Sequence, residues 1–124
     1  NAFRLNNLTR ITIPNGIDKI SDRAFAFNKL ERLTIPDNIV EIGEAAFQRN
    51  SLTGVTLPQS VRKIGRAAFY DNAITRISIG NGVECDNYAF GQYWISFIDR
   101  YNKCGKKGGT YICDQASEQW KLNI

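Results

Sequence analysis

Arginine stands at positions 10, 32 and 76, each two residues ahead of a hydroxyl at Thr12, Thr34 or Ser78. Thr56 continues the hydroxyl series, with Gly54 in the arginine slot. A guanidinium grips a carboxylate or sulfate through two parallel hydrogen bonds, so this set suits an acidic protein or an acidic glycan as partner. The competing reading is a solvated strand face, because threonine favours any exposed strand. Glu31 is placed to intervene between Arg10 and Arg32 and to relieve their repulsion.

A second basic group, Arg100, Lys103, Lys106 and Lys107, forms a rim suited to a glycosaminoglycan or an anionic lipid, or simply a solvated charge run. The run "GKKGGT" at 105–110 lacks the Gly-x4-Gly-Lys-Ser/Thr order and the preceding strand of a phosphate loop. Cys104 and Cys113 flank one glycine-rich loop, and a bridge between them would staple it in an oxidising compartment. Three free, partly buried thiols, Cys85 among them, are the other reading. With no Cys-x-x-Cys spacing and no histidine, no metal site is expected. Phe27 and Tyr70 fall on variable positions where they would meet either a partner or the next layer.

Chemistry that turns over a substrate finds little support. The absence of histidine removes the commonest general base and most nucleophilic triads. Asp18, Asp22, Glu41 and Glu44 scatter over variable positions with no pocket to desolvate them. We therefore expect no enzyme and no cofactor.

A chain of 124 residues, 43% apolar and 23% charged, fits one globular domain. It has no run of about eighteen apolar residues, the length a membrane-spanning helix needs. The net charge of +4 falls short of the dense basic stripe of a nucleic-acid binder. The chain starts without Met or a secretory signal, as a mature or truncated product would.

The candidate residues are positioned by a repeat. Sliding the chain against itself gives a period of 22 residues. Leu8, Leu30, Leu52 and Ile74 align, as do Ile11, Leu33, Val55 and Ile77, then Ile13, Ile35, Leu57 and Ile79. Pro14, Pro36 and Pro58 follow, with Gly80 in the fourth place. Ile17, Ile39, Val61 and Val83 come next, then Ile20, Ile42 and Ile64, with Cys85 in a fourth copy one residue short. Ala-Phe pairs fall at 24–25, 46–47, 68–69 and 89–90, and asparagines at 6, 28, 50 and 72.

Each copy reads as one coil of a stack. Residues 9–13, 31–35, 53–57 and 75–79 suit short strands whose alternation sends the isoleucines inward and the threonines outward. Proline cannot donate to a ladder and ends each strand, and Asn-Gly, Asp-Asn or Gln-Ser turns the chain. The return arm brings two apolar residues from the opposite wall, and the Ala-Phe pair fills the coil. The asparagine column is expected to satisfy turn backbone between coils. One coil buries too few apolar side chains to offset its own ordering entropy, so stability must come from neighbours.

The stretches "NKLERLTIPDNIVEIGEAAFQR" and "NSLTGVTLPQSVRKIGRAAFYD" resemble the BspA-like, or treponemal-type, leucine-rich repeat family of bacteria. The resemblance covers residues 1 to about 91, with Ser21 for a glycine, Gly80 for a proline and the short fourth copy as departures. It implies a right-handed solenoid with a short-stranded parallel sheet on its concave side. It further implies a secreted, cell-surface or periplasmic protein of bacteria, or a surface or secreted one of protozoa, that binds host or neighbouring-cell macromolecules.

Beyond Phe90 the periodicity stops. Tyr93, Trp94, Phe97, Ile98 and Tyr101 fall at helical intervals ahead of a glycine, and residues 110–113 and 120–122 read as a hairpin. Residues 1–91 are thus expected to be the array, and 92–124 a helix-plus-hairpin cap in the same domain. The front end has no such cap, and Ala2-Phe3 reads as the tail of an earlier copy. Further repeats preceding it are expected, and the alternative to a binding module is a structural spacer or a self-assembling element that pairs end to end through this coil.

Overall fold

The structure, a computed structural model, describes residues 7–86, 88–90, 97, 101–102, 105–114 and 119–123. The opening Ala2-Phe3 and Asn6 lie outside that set. The coils stack as the period requires. Turns occur at 15–16, 37–38 and 59–60, directly after the three prolines.

The most regular ladder is on the return arms, where each coil contributes a two-residue strand. These are β1 (Lys19–Ile20), β2 (Glu41–Ile42), β4 (Lys63–Ile64) and β6 (Glu84–Cys85). They pair in parallel in the order β1-β2-β4-β6, with Ile20, Ile42, Ile64 and Cys85 in register. The Ile17-x-x-Ile20 spacing gave no period-2 signal, so this sheet was not expected.

The arm predicted to carry the main sheet is regular only towards its C-terminal end. Strands β3 (Gly54–Thr56) and β5 (Arg76–Ile79) pair in parallel, but residues 9–13 and 31–35 form no strand. Between those two segments the backbone bond is Glu31 N–H to Thr9 O at 3.3 Å, and among the described residues none joins 31–35 to 53–57. Two adjacent short strands are marginal alone; the C-terminal pair gains further partners in β7 (Gly109–Asp114) and β8 (Gln119–Asn123). β7 joins β5 antiparallel and β8 joins β7, giving the order β3-β5-β7-β8.

Inside, Phe25, Phe47, Phe69 and Phe90 form a column of stacked rings with centroids 5.5, 5.3 and 5.5 Å apart. The Leu/Ile columns surround it, and Phe47 and Phe69 are fully buried. The asparagines tie coil to coil as expected. Asn28, Asn50 and Asn72 accept the amides of Leu8, Leu30 and Leu52 at 3.0–3.1 Å. Asn50 and Asn72 each donate to two phenylalanine carbonyls, one in their own turn and one a coil earlier.

The array is closed by the hairpin. Trp120, Tyr111 and Phe97 are buried, and Phe97 meets Phe90 edge-on at 4.8 Å. The Tyr101 hydroxyl donates to Gly80 O at 2.7 Å and accepts Val83 N–H at 2.9 Å, occupying the last turn. Residues 105–108 lie over that turn as a further layer: Gly82 N–H bonds Lys106 O, and Gly108 approaches Gly80 too closely to carry a Cβ. The predicted aromatic helix falls mainly outside the described residues, Tyr93, Trp94 and Ile98 included. Phe97, Tyr101 and Asn102 have helical backbone, yet a capping helix is not supported.

Candidate functional site

Strand alternation fixes which groups face out from the Arg/Thr arm. In β5 Ile77 and Ile79 are buried, so Arg76 and Ser78 project to the other side. In β3 Val55 is buried between Gly54 and Thr56. The same parity holds at the irregular segments, where Arg10, Thr12, Arg32 and Thr34 are exposed. The predicted residues therefore share one face.

The hairpin extends that face, which the sequence reading missed. Register places Ile112 beside Arg76 and Lys121 beside Ile112, while Thr110 stands beside Ser78. The Ser78 and Thr110 hydroxyls share a hydrogen bond of 2.8 Å. By register one outward row reads Gly54, Arg76, Ile112, Lys121 and the next Thr56, Ser78, Thr110; the 22-residue period continues the first to Arg32 and Arg10 and the second to Thr34 and Thr12. The alternation of Thr110-Tyr111-Ile112-Cys113 was legible; its docking on β5 was not, since no local pattern names a strand's partner.

Where the ladder is interrupted between the second and third coils, a cleft of about 320 Å³ opens on this face. Thr34, Thr56, Asp37 and Pro58 line it, with Leu33 and Ile35 beneath. Glu31 does not play its expected part: it is exposed and enters no ion pair among the described residues.

Charges on the return sheet behave differently. Register sets Lys19, Glu41, Lys63 and Glu84 side by side, alternating in sign, and Lys19 meets Glu41 at 3.0 Å. Arg23–Glu44 at 3.3 Å and Arg49–Asp71 at 2.8 Å also link successive coils. Arg10, Arg32 and Arg76 enter no such pair among the described residues.

Of the basic rim, Lys106 and Lys107 fall among the described residues. Arg100 and Lys103 lie outside the described residues. Lys106 lines a cleft of about 300 Å³ with Lys63, Glu84, Cys85 and Asp86, a mixed-sign setting, whereas Lys107 is exposed. Burial pushes the Cys85 thiol up to about 12, against the pull of Lys106, so it is a poor nucleophile. Burial also raises the Tyr101 phenol. Cys113 is buried; its proposed bridge partner Cys104 lies outside the described residues.

Three acidic residues of the return arms tie one coil to the next. Glu41 and Glu44 are paired as above, and Asp22 accepts the Glu44 amide at 2.9 Å. Among the described residues no group of three or more Cys, Asp or Glu is placed to hold a metal ion. None of the described helical residues belongs to a helix long and apolar enough to cross a membrane. Tyr70 and Tyr88 meet edge-to-face at 6.2 Å, and the Arg49 guanidinium lies 5.4 Å from the Phe27 ring centre, so these aromatics contact the next layer while remaining partly open.

A family model described as the BspA type leucine-rich repeat region, in six copies, matches residues 1–108. The match runs past the last Ala-Phe pair to the layer that covers the 80–83 turn. No curated protein and no solved structure matches the chain.

Proposed function

Because the chain belongs to the BspA-type leucine-rich repeat family, whose repeats serve as protein-interaction modules, we propose that it binds macromolecules through the Arg/Thr face. The setting we propose is a secreted, cell-surface or periplasmic bacterial protein in contact with a host or a neighbouring cell. Arg10, Arg32 and Arg76 supply cations, and Thr12, Thr34, Thr56 and Ser78 supply hydroxyls, for an acidic protein segment or acidic glycan. One observation carries the reading: cations on the return sheet stand beside carboxylates, while these three arginines stand apart from any ion pair among the described residues. Unpaired guanidinium groups on a hydroxyl-bearing face steer and grip anions.

The test is binding of a heparin-derived oligosaccharide and of a polyglutamate peptide, each across a salt series. Replacing Arg10, Arg32 and Arg76 together by Gln should weaken binding about a hundredfold and flatten the salt slope. Unchanged affinity discards the assignment.

A second reading is self-association through the first coil. Light scattering across a concentration series separates the two, since a strict monomer removes this alternative.

A further inference from the structure

The outward row of the hairpin sheet holds one large apolar side chain. Ile112 is 43% exposed, on the central strand β7, with Arg76 on one side and Lys121 on the other. A lone exposed isoleucine is ordinary on a protein surface. This one lies in line with the arginine row, flanked by two cations whose aliphatic stems can wall an apolar contact. Gly54, on the far side of Arg76, adds no side chain to crowd the approach. An apolar centre with Arg at its margin and a polar rim is the anatomy of an energetic hot spot.

We propose that Ile112 anchors an extended acidic peptide segment of the partner, whose apolar side chain covers Ile112 while carboxylates on either side meet Arg76 and Lys121. This deepens the reading of the Arg/Thr face and rests on it. Adjacent strands lie about 4.8 Å apart, so the two cationic strands are separated by roughly 10 Å. Same-face residues of an extended peptide recur at about 6.8 Å. An acidic-x-apolar-x-acidic segment therefore spans the gap once the long Arg and Lys side chains lean outward. A sulfated saccharide satisfies the cations but leaves Ile112 uncovered, so peptide is the partner the row fits best.

The experiment uses two fluorescent peptides, Asp-Ser-Leu-Ser-Asp and Asp-Ser-Ser-Ser-Asp, titrated by anisotropy, with a heparin-derived oligosaccharide as the third probe. The chain should bind the leucine peptide about tenfold more tightly than the serine peptide. Ile112→Thr keeps a β-branched residue on the strand and should abolish that preference without changing the salt slope. Lys121→Gln should weaken both peptides and flatten the slope. Equal affinity for the two peptides, or a preference that survives Ile112→Thr, overturns the inference. Binding of heparin alone, sensitive to the triple arginine variant but not to Ile112→Thr, overturns it while leaving the broader face intact.

Discussion

The Leu30 amide donates to the Asn50 side-chain oxygen at 3.0 Å, and the Asn50 amide group returns hydrogen bonds to Phe25 O and Phe47 O at 3.0 and 2.9 Å. One buried side chain thus joins two successive coils. Asn50→Ala strands the buried Leu30 donor, while Phe25 O and Phe47 O keep their bonds from Asn28 and Asn72, so we expect a loss of about 1–3 kcal/mol, the cost of one desolvated group. Urea denaturation measures it; a loss below about 1 kcal/mol would mean that water replaces the side chain.

Phe47 stacks on both Phe25 and Phe69 and is fully buried, whereas Phe25 is half-buried. Phe47→Ala should cost about 3–5 kcal/mol, the range for emptying a core aromatic site. Phe25→Ala should cost clearly less. Equal losses would show that burial is not what grades the column.

A Cβ on Gly65 would lie 2.8 Å from Glu44 N and 2.9 Å from Gly43 C, both backbone atoms of the coil before it. Gly65→Ala must push two coils apart and should cost about 1–3 kcal/mol. Gly16 has nothing within 4 Å of the same position, so Gly16→Ala should be neutral or slightly stabilising. Matching thermal midpoints for the two variants would refute the close-packing account.

Burial raises the Cys85 thiol from 9.0 to about 12 and raises the Tyr101 phenol too. Folded protein then keeps protons that the unfolded chain releases, so stability falls as pH climbs. For Cys85 the loss runs from about pH 9 to about pH 12, with no contribution to pH dependence below. Urea midpoints at pH 8, 9.5 and 10.5 should decline, and Cys85→Val should shallow the decline. An identical profile in the variant would rule out the thiol as a source.

The inner columns could be read from sequence because a 22-residue period repeats the same burial demand in each coil. Leu30, Ile42 and Phe47 recur as Leu52, Ile64 and Phe69, and all six are buried. Strand pairing was harder. Lys19–Ile20 and its counterparts are two residues long, too short to show any periodicity of their own. The irregularity at 31–35 was equally hidden, since its Leu-Thr-Ile is as good a strand sequence as the Val-Thr-Leu of the next coil. At the candidate site the arginine and threonine columns were visible, but Ile112 and Lys121 reach them only through a pairing between residues more than thirty apart.

The sign alternation along Lys19, Glu41, Lys63 and Glu84 gives the array a parity. Excising one interior coil would set Lys19 against Lys63, or Glu41 against Glu84, whereas excising two adjacent coils restores an attractive neighbour. Removing coils is therefore electrostatically smoother in pairs, by a small margin, since each such contact is exposed to screening solvent.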